Sequence, residues 1–495
     1  MPAIQDKVQR RFGHYPERIL QFGEGNFLRA FVDWMIDKAN RDGIYQGSIV
    51  LCQAIEGGDV LRQFINEQEG LYTLVMRGAE EGRPVEQIET ISSVSRCINA
   101  YSDYQELMKL AASPDLEVVV SNTTEAGISY HAGDKLEDRP PFSFPAKVCA
   151  FLYARYQAFD RDPERRHGLL FLPVELIDNN WAELRRIVLQ YARDWELEAD
   201  FCRWVEEANH FTSTLVDRIV TGYPRDEAAQ FSERLGYEDK ILDTSELFNL
   251  WVIEGDEAWA DKLPVHRTDA NVIWTRDVRP YKKRKVRILN GAHTATVLAA
   301  YLAGFDHVLD FMQNEAVRSY MNRLLHEEVI PVLDLPREEL ETFAAAVNDR
   351  FANPYIKHKL LDISLNSCSK FNARCLPSLL EFVEQKGQLP RRLVFALAAL
   401  IRFYKIRRQE DGRYQGQRSK DGAYPVRDDQ SVLDFFAQIW AENLSAEERA
   451  RRVLSKTDFW SGRDLSAVPG LCEAVAADLE AMEERDMHDL LKDLA

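Results

Sequence analysis

An ammonium, an amide and an imidazole lie within nine positions of the stretch KVRILNGAHT, at Lys285, Asn290 and His293. On a helix with steps of about 100° per residue, the three side chains share one broad face. If Asn290 instead caps a helix that begins at Gly291, Lys285 approaches from an extended lead-in. Either geometry can bring the three groups to one substrate atom.

These three groups fit hydride transfer between a nicotinamide cofactor and a carbonyl/alcohol pair. A lysine exchanges protons when burial and nearby cations lower its pKa, and an amide donor stabilises an alkoxide. A histidine can donate to the same oxygen or orient the lysine. The stretch also fits a simple turn with a structural histidine, so its surroundings must decide. It is mostly apolar and is flanked by the cations Lys283, Arg284 and Arg287.

The first half of the chain alternates strand-like and helical stretches, as in a parallel α/β sheet. NFLRAFVDWMIDKAN, residues 26–40, predicts an amphipathic helix. After about residue 285 the sequence becomes rich in Leu and Ala at helical spacing. We therefore predict an α/β, Rossmann-like domain over residues 1–275 and a mainly α-helical domain over residues 276–495. The predicted strands include residues 18–22, 47–55, 116–122 and 167–176.

Two glycines follow the first predicted strand and precede a helix in the stretch GEGNFLRAF. In a dinucleotide-binding turn, glycines let the backbone approach the pyrophosphate, which sits on the helix N-terminus. Leu28 occupies the third position of the G-x-G-x-x-G pattern, so a turn without a ligand is the alternative. Arg29 could add positive charge near a phosphate or face solvent. The predicted cofactor-binding residues of this turn are Gly23, Gly25, Asn26, Phe27 and Arg29.

Two further strand ends are candidates for contact with the cofactor. An acidic residue after the second strand binds the ribose hydroxyls and favours NAD over NADP. Asp59 is the predicted residue here, and Glu56 is the alternative. The stretch VVVSNTTEAG ends a strand in small polar residues, where the nicotinamide lies in a doubly wound sheet. Asn122 and Thr123 are therefore predicted to contact NAD, or alternatively to cap the next helix.

The composition disfavours several other classes of protein. A net charge of −18 opposes nucleic-acid binding, and the short KKRK run has a single aromatic neighbour. No apolar run reaches the roughly 18 residues that a membrane span needs, and the N-terminal stretch has no secretion signal. Seven scattered cysteines without CxxC spacing predict reduced thiols and no metal site. We expect a cytoplasmic enzyme with a small-molecule substrate.

The whole chain resembles the polyol-specific long-chain dehydrogenase family, which includes mannitol 2-dehydrogenase and the hexuronate reductases. Lys285, Asn290 and His293 match the family's K-x4-N-x2-H motif, and GEGNFLRAF resembles its cofactor turn. VDRI, WVIE and DVRPY match further landmarks. The resemblance implies NAD as cofactor and Lys285 as general acid/base. It also implies that Asn290 and His293 polarise the substrate oxygen.

Two departures from the family pattern bear on the substrate. Polyol-oxidising relatives carry an Asp-Asn pair, whose asparagine helps to stabilise the oxyanion, where this chain has Glu175-Leu176. We expect Asn179 or Asn180 to replace that contact. Relatives such as mannitol 2-dehydrogenase have a glutamate three residues before the catalytic lysine, where this chain has Lys282. A cation there suits an anionic substrate, although a solvated lysine is the alternative.

A hexuronate carries a carboxylate, which needs cations or hydrogen-bond donors. His358, Lys370 and Arg374 could supply them from the stretch 353–375. Lys370 and Arg374 are about one helical turn apart and can share a face. A basic stripe exposed on a helix is an equally good alternative.

The resemblance is strongest to the hexuronate reductases, through VSNTTEAGI, PVELIDNN and NSCSKFNARCLPSLL. It implies NAD-dependent interconversion of D-tagaturonate and D-altronate in hexuronate (galacturonate) catabolism. The first alternative is fructuronate/mannonate or a mannitol-type polyol as substrate, which the missing Asp-Asn pair disfavours. The second is a non-catalytic NAD-binding sensor, which the complete set of Lys, Asn and His disfavours.

Overall fold

The computed structural model divides the chain into two compact units. Unit 1 comprises Met1–Arg77 and Glu86–Val278, and unit 2 comprises Gly78–Val85 and Arg279–Ala495. Leu176, in the position of the family's Asp-Asn pair, lies outside the described residues. The structure describes residues 1–12, 15–80, 82–123, 127–159, 167–175, 177, 179–418 and 422–495.

Unit 1 is built on β-strands that bury apolar side chains. Four of them, β1, β2, β6 and β7 in the numbering below, confirm the strands predicted from the sequence. In chain order the described strands are β1 Glu17–Phe22, β2 Ser48–Gln53, β3 Tyr72–Glu80, β4 Arg83–Ile91, β5 Val94–Asn99, β6 Val118–Ser121, β7 Leu170–Pro173, β8 His210–Phe211, β9 Thr214–Asp217, β10 Asp243–Glu246, β11 Leu250–Glu254 and β12 Val272–Thr275.

A six-stranded parallel sheet with the order β5-β2-β1-β6-β7-β8 forms the centre of unit 1. Side chains along a strand alternate between the two faces of the sheet. Ile19 of β1 therefore packs in one apolar layer, and Leu20 and Phe22 pack in the other. Because both faces are covered, β2, β6 and β7 each contain a continuous apolar run. Two three-stranded sheets, β10-β3-β4 and β12-β11-β9, complete the unit.

The helices of unit 1 connect the parallel strands, and the predicted helix over residues 26–40 is confirmed. It runs as α1 Asn26–Leu28, a π-helical turn Arg29–Asp33, and α2 Trp34–Arg41. The other described α-helices of the unit are α3 Asp59–Glu67, α4 Tyr104–Ala111, α5 Phe144–Ala158, α6 Asn180–Asp194, α7 Ala199–Ala208, α8 Ala228–Leu235 and α9 Glu257–Lys262.

Unit 2 is mainly helical, as the Leu- and Ala-rich sequence predicted. Its first helical stretch is α10 Arg279–Arg284, a π-helical turn Lys285–Asn290, and α11 Gly291–Leu302. The remaining described α-helices are α12 Val308–Met312, α13 Glu315–Arg323, α14 Arg337–Phe351, α15 Leu360–Ile363, α16 Ser367–Arg374, α17 Leu376–Lys386, α18 Arg391–Phe403, α19 Gln430–Ala441, α20 Ala446–Leu454, α21 Leu471–Glu484 and α22 Met487–Leu494.

Helix α11 lies at the centre of unit 2, and its side chains are buried almost throughout. A small antiparallel sheet, which the sequence did not predict, follows α18 as β13 Ile406–Arg408, β14 Tyr414–Arg418 and β15 Gly422–Val426. Within the described ranges, no helix is both long and apolar enough to cross a membrane. The predicted fold class, a Rossmann-like α/β part followed by a mainly α-helical part, is confirmed.

Candidate active site

The turn between β1 and α1 uses its two glycines in different ways. Gly23 has a φ of +127°, and a Cβ there would lie 3.1 Å from Leu28 Cδ1 and 3.2 Å from the Asn122 carbonyl oxygen. That conformation and that close approach both require glycine. Gly25 precedes the helix, and a Cβ there would meet no atom of the described chain within 4 Å. The helix N-terminus is therefore open at Gly25, where an anion can approach.

A cavity of about 440 Å³ lies at this edge of the sheet, where the parallel strands end. Open α/β sheets bind ligands at this edge. Of the predicted cofactor residues, Gly23, Gly25, Asn122 and Thr123 lie in its wall, whereas Asn26 does not. Other described residues in the wall include Glu24, Ala54, Ile55, Tyr130, Phe142 and Lys147.

Glu175 fixes the end of β6 beside this cavity. Its Oε2 accepts a hydrogen bond from Ser121 Oγ at 3.1 Å. Its Oε1 accepts from the Thr123 backbone N–H at 3.0 Å and from the Thr123 hydroxyl at 3.1 Å. The residue is only 4% exposed, so these bonds replace water, and hydrogen bonds to a charged group contribute roughly 1.5–3 kcal/mol each. Glu175 thereby holds Asn122 and Thr123 in the cavity wall.

Arg29 is buried beside the cofactor turn. The residue is 1% exposed. Its guanidinium donates to the carbonyl oxygens of Glu24 at 3.2 Å and Ile241 at 2.5 Å, and to Asn26 Oδ1 at 2.6 Å. It also lies 3.7 Å from the Asp243 carboxylate. The solvent-facing alternative is therefore wrong, because these partners hold Arg29 in the core, where it anchors the cofactor turn, and a role near a phosphate stays a prediction.

Asp59 and Phe27 also lie outside the described cavity wall. Asp59 is the first residue of α3, and its Oδ1 accepts a hydrogen bond from Arg62 Nε at 3.0 Å. Glu56, the alternative acidic residue, is exposed in the loop after β2. Phe27 stacks on Phe31 with 5.1 Å between ring centroids, so its ring contributes to packing. A role for Asp59 at the ribose stays a prediction.

Asn179 and Asn180 lie at the start of α6, and their environments differ. Asn180 is 4% exposed. Its amide donates to the carbonyl oxygens of Pro173 and Glu175, at 3.0 Å each. Both amide hydrogens are therefore used within unit 1, which makes Asn180 a positioning residue for the end of β7. Asn179 has a left-handed φ of +56° and is exposed, so it stays the candidate for the missing asparagine contact.

Lys285, Asn290 and His293 lie on one continuous helical stretch of unit 2. The π-helical turn begins at Lys285, and α11 follows it without interruption. Asn290 has helical φ and ψ of −71° and −33°, so the alternative in which it caps a helix after an extended lead-in is wrong. A π-helical turn bonds residue i to residue i+5, which brings Lys285 and Asn290 closer to one line along the helix than an α-turn would. All three side chains are half-buried.

The three cations that flank this motif are paired with carboxylates. Arg284 donates to Glu339 at 2.6 Å, and Arg287 donates to Glu381 at 3.0 Å. Lys283 Nζ lies 3.5 Å from the same Glu381 carboxylate. Paired charges largely cancel each other, so these residues do not supply the net positive charge at the motif that the sequence suggested.

His293 is enclosed by an aromatic ring and by cations. Its imidazole stacks in parallel on Phe351, with 3.9 Å between ring centroids. Nε2 is buried and has no hydrogen-bond partner in the described part of the chain. Burial and nearby positive charges lower the pKa of His293 to about 3, so the imidazole is neutral near pH 7. The titratable groups that act on it most strongly are His358, Arg350, Arg374 and Lys370.

Residues predicted to bind a carboxylate therefore surround His293. The ring of His358 lies 6.3 Å from that of His293, centroid to centroid. Burial and the charge of Arg350 lower the pKa of His358. Arg350, which directly precedes the stacking residue Phe351 on α14, was not predicted from the sequence. No local motif marks it, because α14 reaches His293 only through tertiary packing.

Lys370 and Arg374 on α16 complete this cationic cluster. Lys370 Nζ donates to the Ile363 carbonyl oxygen at 2.9 Å, and Arg374 Nη1 donates to Thr294 Oγ1 at 3.4 Å. Burial, together with the charge of Arg374, lowers the pKa of Lys370, and burial lowers the pKa of Arg374. Like charges gathered at a partly buried place disfavour their own charged forms. Such a place is suited to an anion that compensates them.

Comparison with protein families gives two matches that together span most of the chain. Residues 17–266 match the mannitol dehydrogenase Rossmann domain, and residues 277–483 match the mannitol dehydrogenase C-terminal domain. Among curated relatives, an altronate oxidoreductase of Escherichia coli is 48% identical over 485 residues, with 97% of each chain covered. A protein of the same name from Shigella flexneri is 47% identical over the same length, also with 97% of each chain covered.

Two solved structures share the fold at lower sequence identity. A D-sorbitol dehydrogenase in substrate-free form has a TM-score of 0.79 at 19% identity, with 99% of each chain covered. The Pseudomonas fluorescens mannitol 2-dehydrogenase, in ternary complex with NAD and D-mannitol, has a TM-score of 0.63 at 22% identity. That comparison covers 97% of this chain and 94% of the other. The predicted family resemblance is confirmed.

Proposed function

The chain belongs to the mannitol dehydrogenase family, and from that premise we propose that it is an NAD-dependent oxidoreductase that interconverts D-tagaturonate and D-altronate. Relatives that share nearly half of its residues over almost the whole length carry the name altronate oxidoreductase. D-Tagaturonate and D-altronate both carry a carboxylate. The observation that carries the proposal is the cationic cluster around His293, because a neutral polyol has no charge to compensate it.

The residues of unit 1 fit a dinucleotide. Gly25 leaves a helix N-terminus open to a phosphate, and the adjoining cavity lies at the end of the parallel strands. When bound, the cofactor would supply a hydride to the substrate carbon as NADH, or accept one from it as NAD⁺. Glu175 contributes by holding Asn122 and Thr123 in the wall, so that their positions are set before a ligand arrives.

Lys285 transfers the proton at the substrate oxygen in this proposal. As a ketone is reduced, negative charge develops on its oxygen, and the Lys285 ammonium donates a proton to give the alcohol. In the reverse direction the neutral amine takes that proton back. Asn290, close to Lys285 along the π-helical turn, donates a hydrogen bond that stabilises the developing alkoxide.

His293 acts as a neutral hydrogen-bonding group. Its low pKa keeps the ring uncharged near pH 7, and its buried Nε2 has no partner within the described residues. The ring can therefore bond to the substrate without taking part in proton transfer. His358, Lys370 and Arg374, with Arg350, bind the carboxylate at the other end of the same substrate. Free thiols at all seven cysteines fit a cytoplasmic location for the enzyme.

Turnover of NADH by the purified protein tests the proposal. Tagaturonate, fructuronate and fructose are compared side by side, each over a range of concentrations. We expect kcat/KM for tagaturonate to exceed the other two values, with the neutral ketose fructose the poorest substrate. A preference for fructuronate would keep the acid recognition and change the assigned hexuronate. A preference for fructose would refute the role of the cationic cluster, and NADH binding without any turnover would support a non-catalytic sensor.

A further inference from the structure

A buried lysine lies in the wall of the unit 1 cavity, where the proposed mechanism does not use it. Lys147 belongs to α5 and is 1% exposed, yet it borders the same cavity as Gly23 and Gly25. It is the only lysine or arginine among the described residues of that wall. A lysine is rarely buried to this extent without a partner of opposite charge.

The ammonium of Lys147 has neutral hydrogen-bond partners. Its Nζ donates to the Phe142 carbonyl oxygen at 2.6 Å and to the Tyr101 hydroxyl at 3.4 Å. It also lies 4.8 Å from the centroid of the Tyr101 ring. Across the described ranges, no carboxylate lies within ion-pair distance of it. Burial accordingly lowers the pKa of Lys147 to about 8, which leaves most of the lysine charged at pH 7.

Asp134 acts on the Lys147 ammonium only from beyond ion-pair distance, so a buried cation lies beside an open cavity where an anionic ligand can bind it. Within the described residues, no ion pair offsets the free-energy cost of burying the ammonium. A bound anionic ligand can form that ion pair. Gly25 presents an open helix N-terminus to the same cavity, which also favours negative charge. Glu24 also lines the cavity, and burial raises the pKa of its carboxyl group.

We propose that Lys147 is a binding residue that contacts a phosphate group of the nucleotide held in this cavity. The proposal rests on the proposed function for the identity of that nucleotide as NAD. The alternative is that Lys147 has a purely structural role. It would then bind the Phe142 carbonyl oxygen to α5 and shape the cavity wall without contacting the ligand. The two roles differ in one respect: only a phosphate contact depends on the charge of the ligand.

Competition by ADP and by adenosine against NADH separates these two roles. Both compounds carry the same base and ribose, and only ADP carries phosphates. Inhibition constants are obtained from the displacement of bound NADH, followed by its fluorescence without any substrate, for the wild type, Lys147→Gln and Lys147→Met. Lys135→Gln is the matched control. Lys135 is an exposed lysine in the segment before α5, and it is not part of the described cavity wall.

We expect the inhibition constant of ADP to rise roughly 10- to 100-fold in both Lys147 variants, the usual cost of a lost hydrogen bond to a charged group. That of adenosine should change less than about twofold, as should both constants in the control. Equal losses for ADP and adenosine would show that Lys147 only shapes the wall, and unchanged constants would exclude both roles. If the wild type fails to bind NADH, the proposed function fails instead.

A pH series on the wild type gives a second measurement that needs no variant. Among the described residues, Cys52, Tyr101 and Asp134 are titratable groups near the Lys147 ammonium, and Glu24, Tyr130 and His131 line the same cavity. Burial raises the pKa of Cys52 and that of Tyr101, and in Asp134 hydrogen bonds from Ser143 and Phe142 outweigh burial and lower the pKa. Lys147 is therefore the group in this set that loses its proton near pH 8. ADP affinity relative to adenosine should fall as the pH rises through about 8, and a constant ratio would overturn the proposal.

Discussion

Replacement of Arg374 by glutamine tests whether the cationic cluster around His293 binds the substrate carboxylate. The cluster consists of His358, Arg350, Lys370 and Arg374. Arg374 lies on α16 of unit 2, half-buried beside His293. In the described part of the chain its guanidinium makes a single, long hydrogen bond, 3.4 Å to Thr294 Oγ1. A guanidinium has five N–H donors, so most of them are available to a ligand. Glutamine keeps a polar side chain and removes the charge.

The expected size of the effect follows from those contacts. A hydrogen bond to a charged group is worth roughly 1.5–3 kcal/mol, which corresponds to about a 10- to 150-fold change in kcat/KM. Arg374→Gln should show a loss in this range with tagaturonate. Lys370→Gln should show a smaller loss, because the ammonium of Lys370 already shares its donors with the Ile363 carbonyl oxygen at 2.9 Å.

The assay compares a charged and a neutral ketose with the same protein preparations. NADH turnover is measured with tagaturonate and with fructose, and kcat and KM are determined separately. Lys359→Gln is the control, because Lys359 is an exposed cation directly after His358. A carboxylate contact predicts that the ratio of kcat/KM values, tagaturonate over fructose, falls in Arg374→Gln and stays constant in the control.

Two results would contradict this reasoning. Equal losses with tagaturonate and fructose would mean that Arg374 supports the fold of the site and does not recognise charge. An unchanged ratio in both Arg374→Gln and Lys370→Gln would mean that the carboxylate binds elsewhere. Thermal unfolding of each variant, measured alongside, shows whether a loss of activity reflects a loss of folded protein.

Three further predictions concern single groups. Lys285→Ala should lower kcat by about 100- to 10,000-fold with NADH affinity unchanged in fluorescence titration, and near-native turnover would exclude Lys285 as the proton donor. Glu175→Gln replaces one of the two accepting carboxylate oxygens, the one facing Ser121 or the one facing Thr123, by an amide donor, so NADH affinity should fall by roughly 1–3 kcal/mol; calorimetry that finds wild-type affinity would refute this role. Burial raises the pKa of Asp33 to about 7. Its protonated carboxyl therefore contributes stability at pH values below the pKa that Asp33 has in the unfolded chain, and this stability is lost as the pH rises through about 7. In Asp33→Asn, the free energy of unfolding, followed by urea denaturation, should therefore fall less between about pH 5 and about pH 8 than in the wild type. An equal fall in both proteins would contradict the assignment.

The sequence by itself determined the elements whose pattern is local. β6 and β7 are continuous apolar runs because both faces of their sheet are covered, and that burial is visible in the residues themselves. The helix after Gly25 and the helical character of unit 2 follow from apolar spacing. The spacing of Lys285, Asn290 and His293 fitted proton transfer as well as a structural turn, and the match to the family motif, which needs no coordinates, favoured the first.

Tertiary structure alone decided which partner each charged side chain has. Arg29 follows the cofactor glycines in sequence, yet it is held by Asp243 and by the Ile241 carbonyl oxygen, residues of a distant segment. The cations beside Lys285 are paired, while Arg350 and Arg374 reach His293 from other helices. An ion pair or a hydrogen bond depends on distances of a few ångströms between elements far apart in the chain. Apolar periodicity reports burial, and it carries no information on those distances.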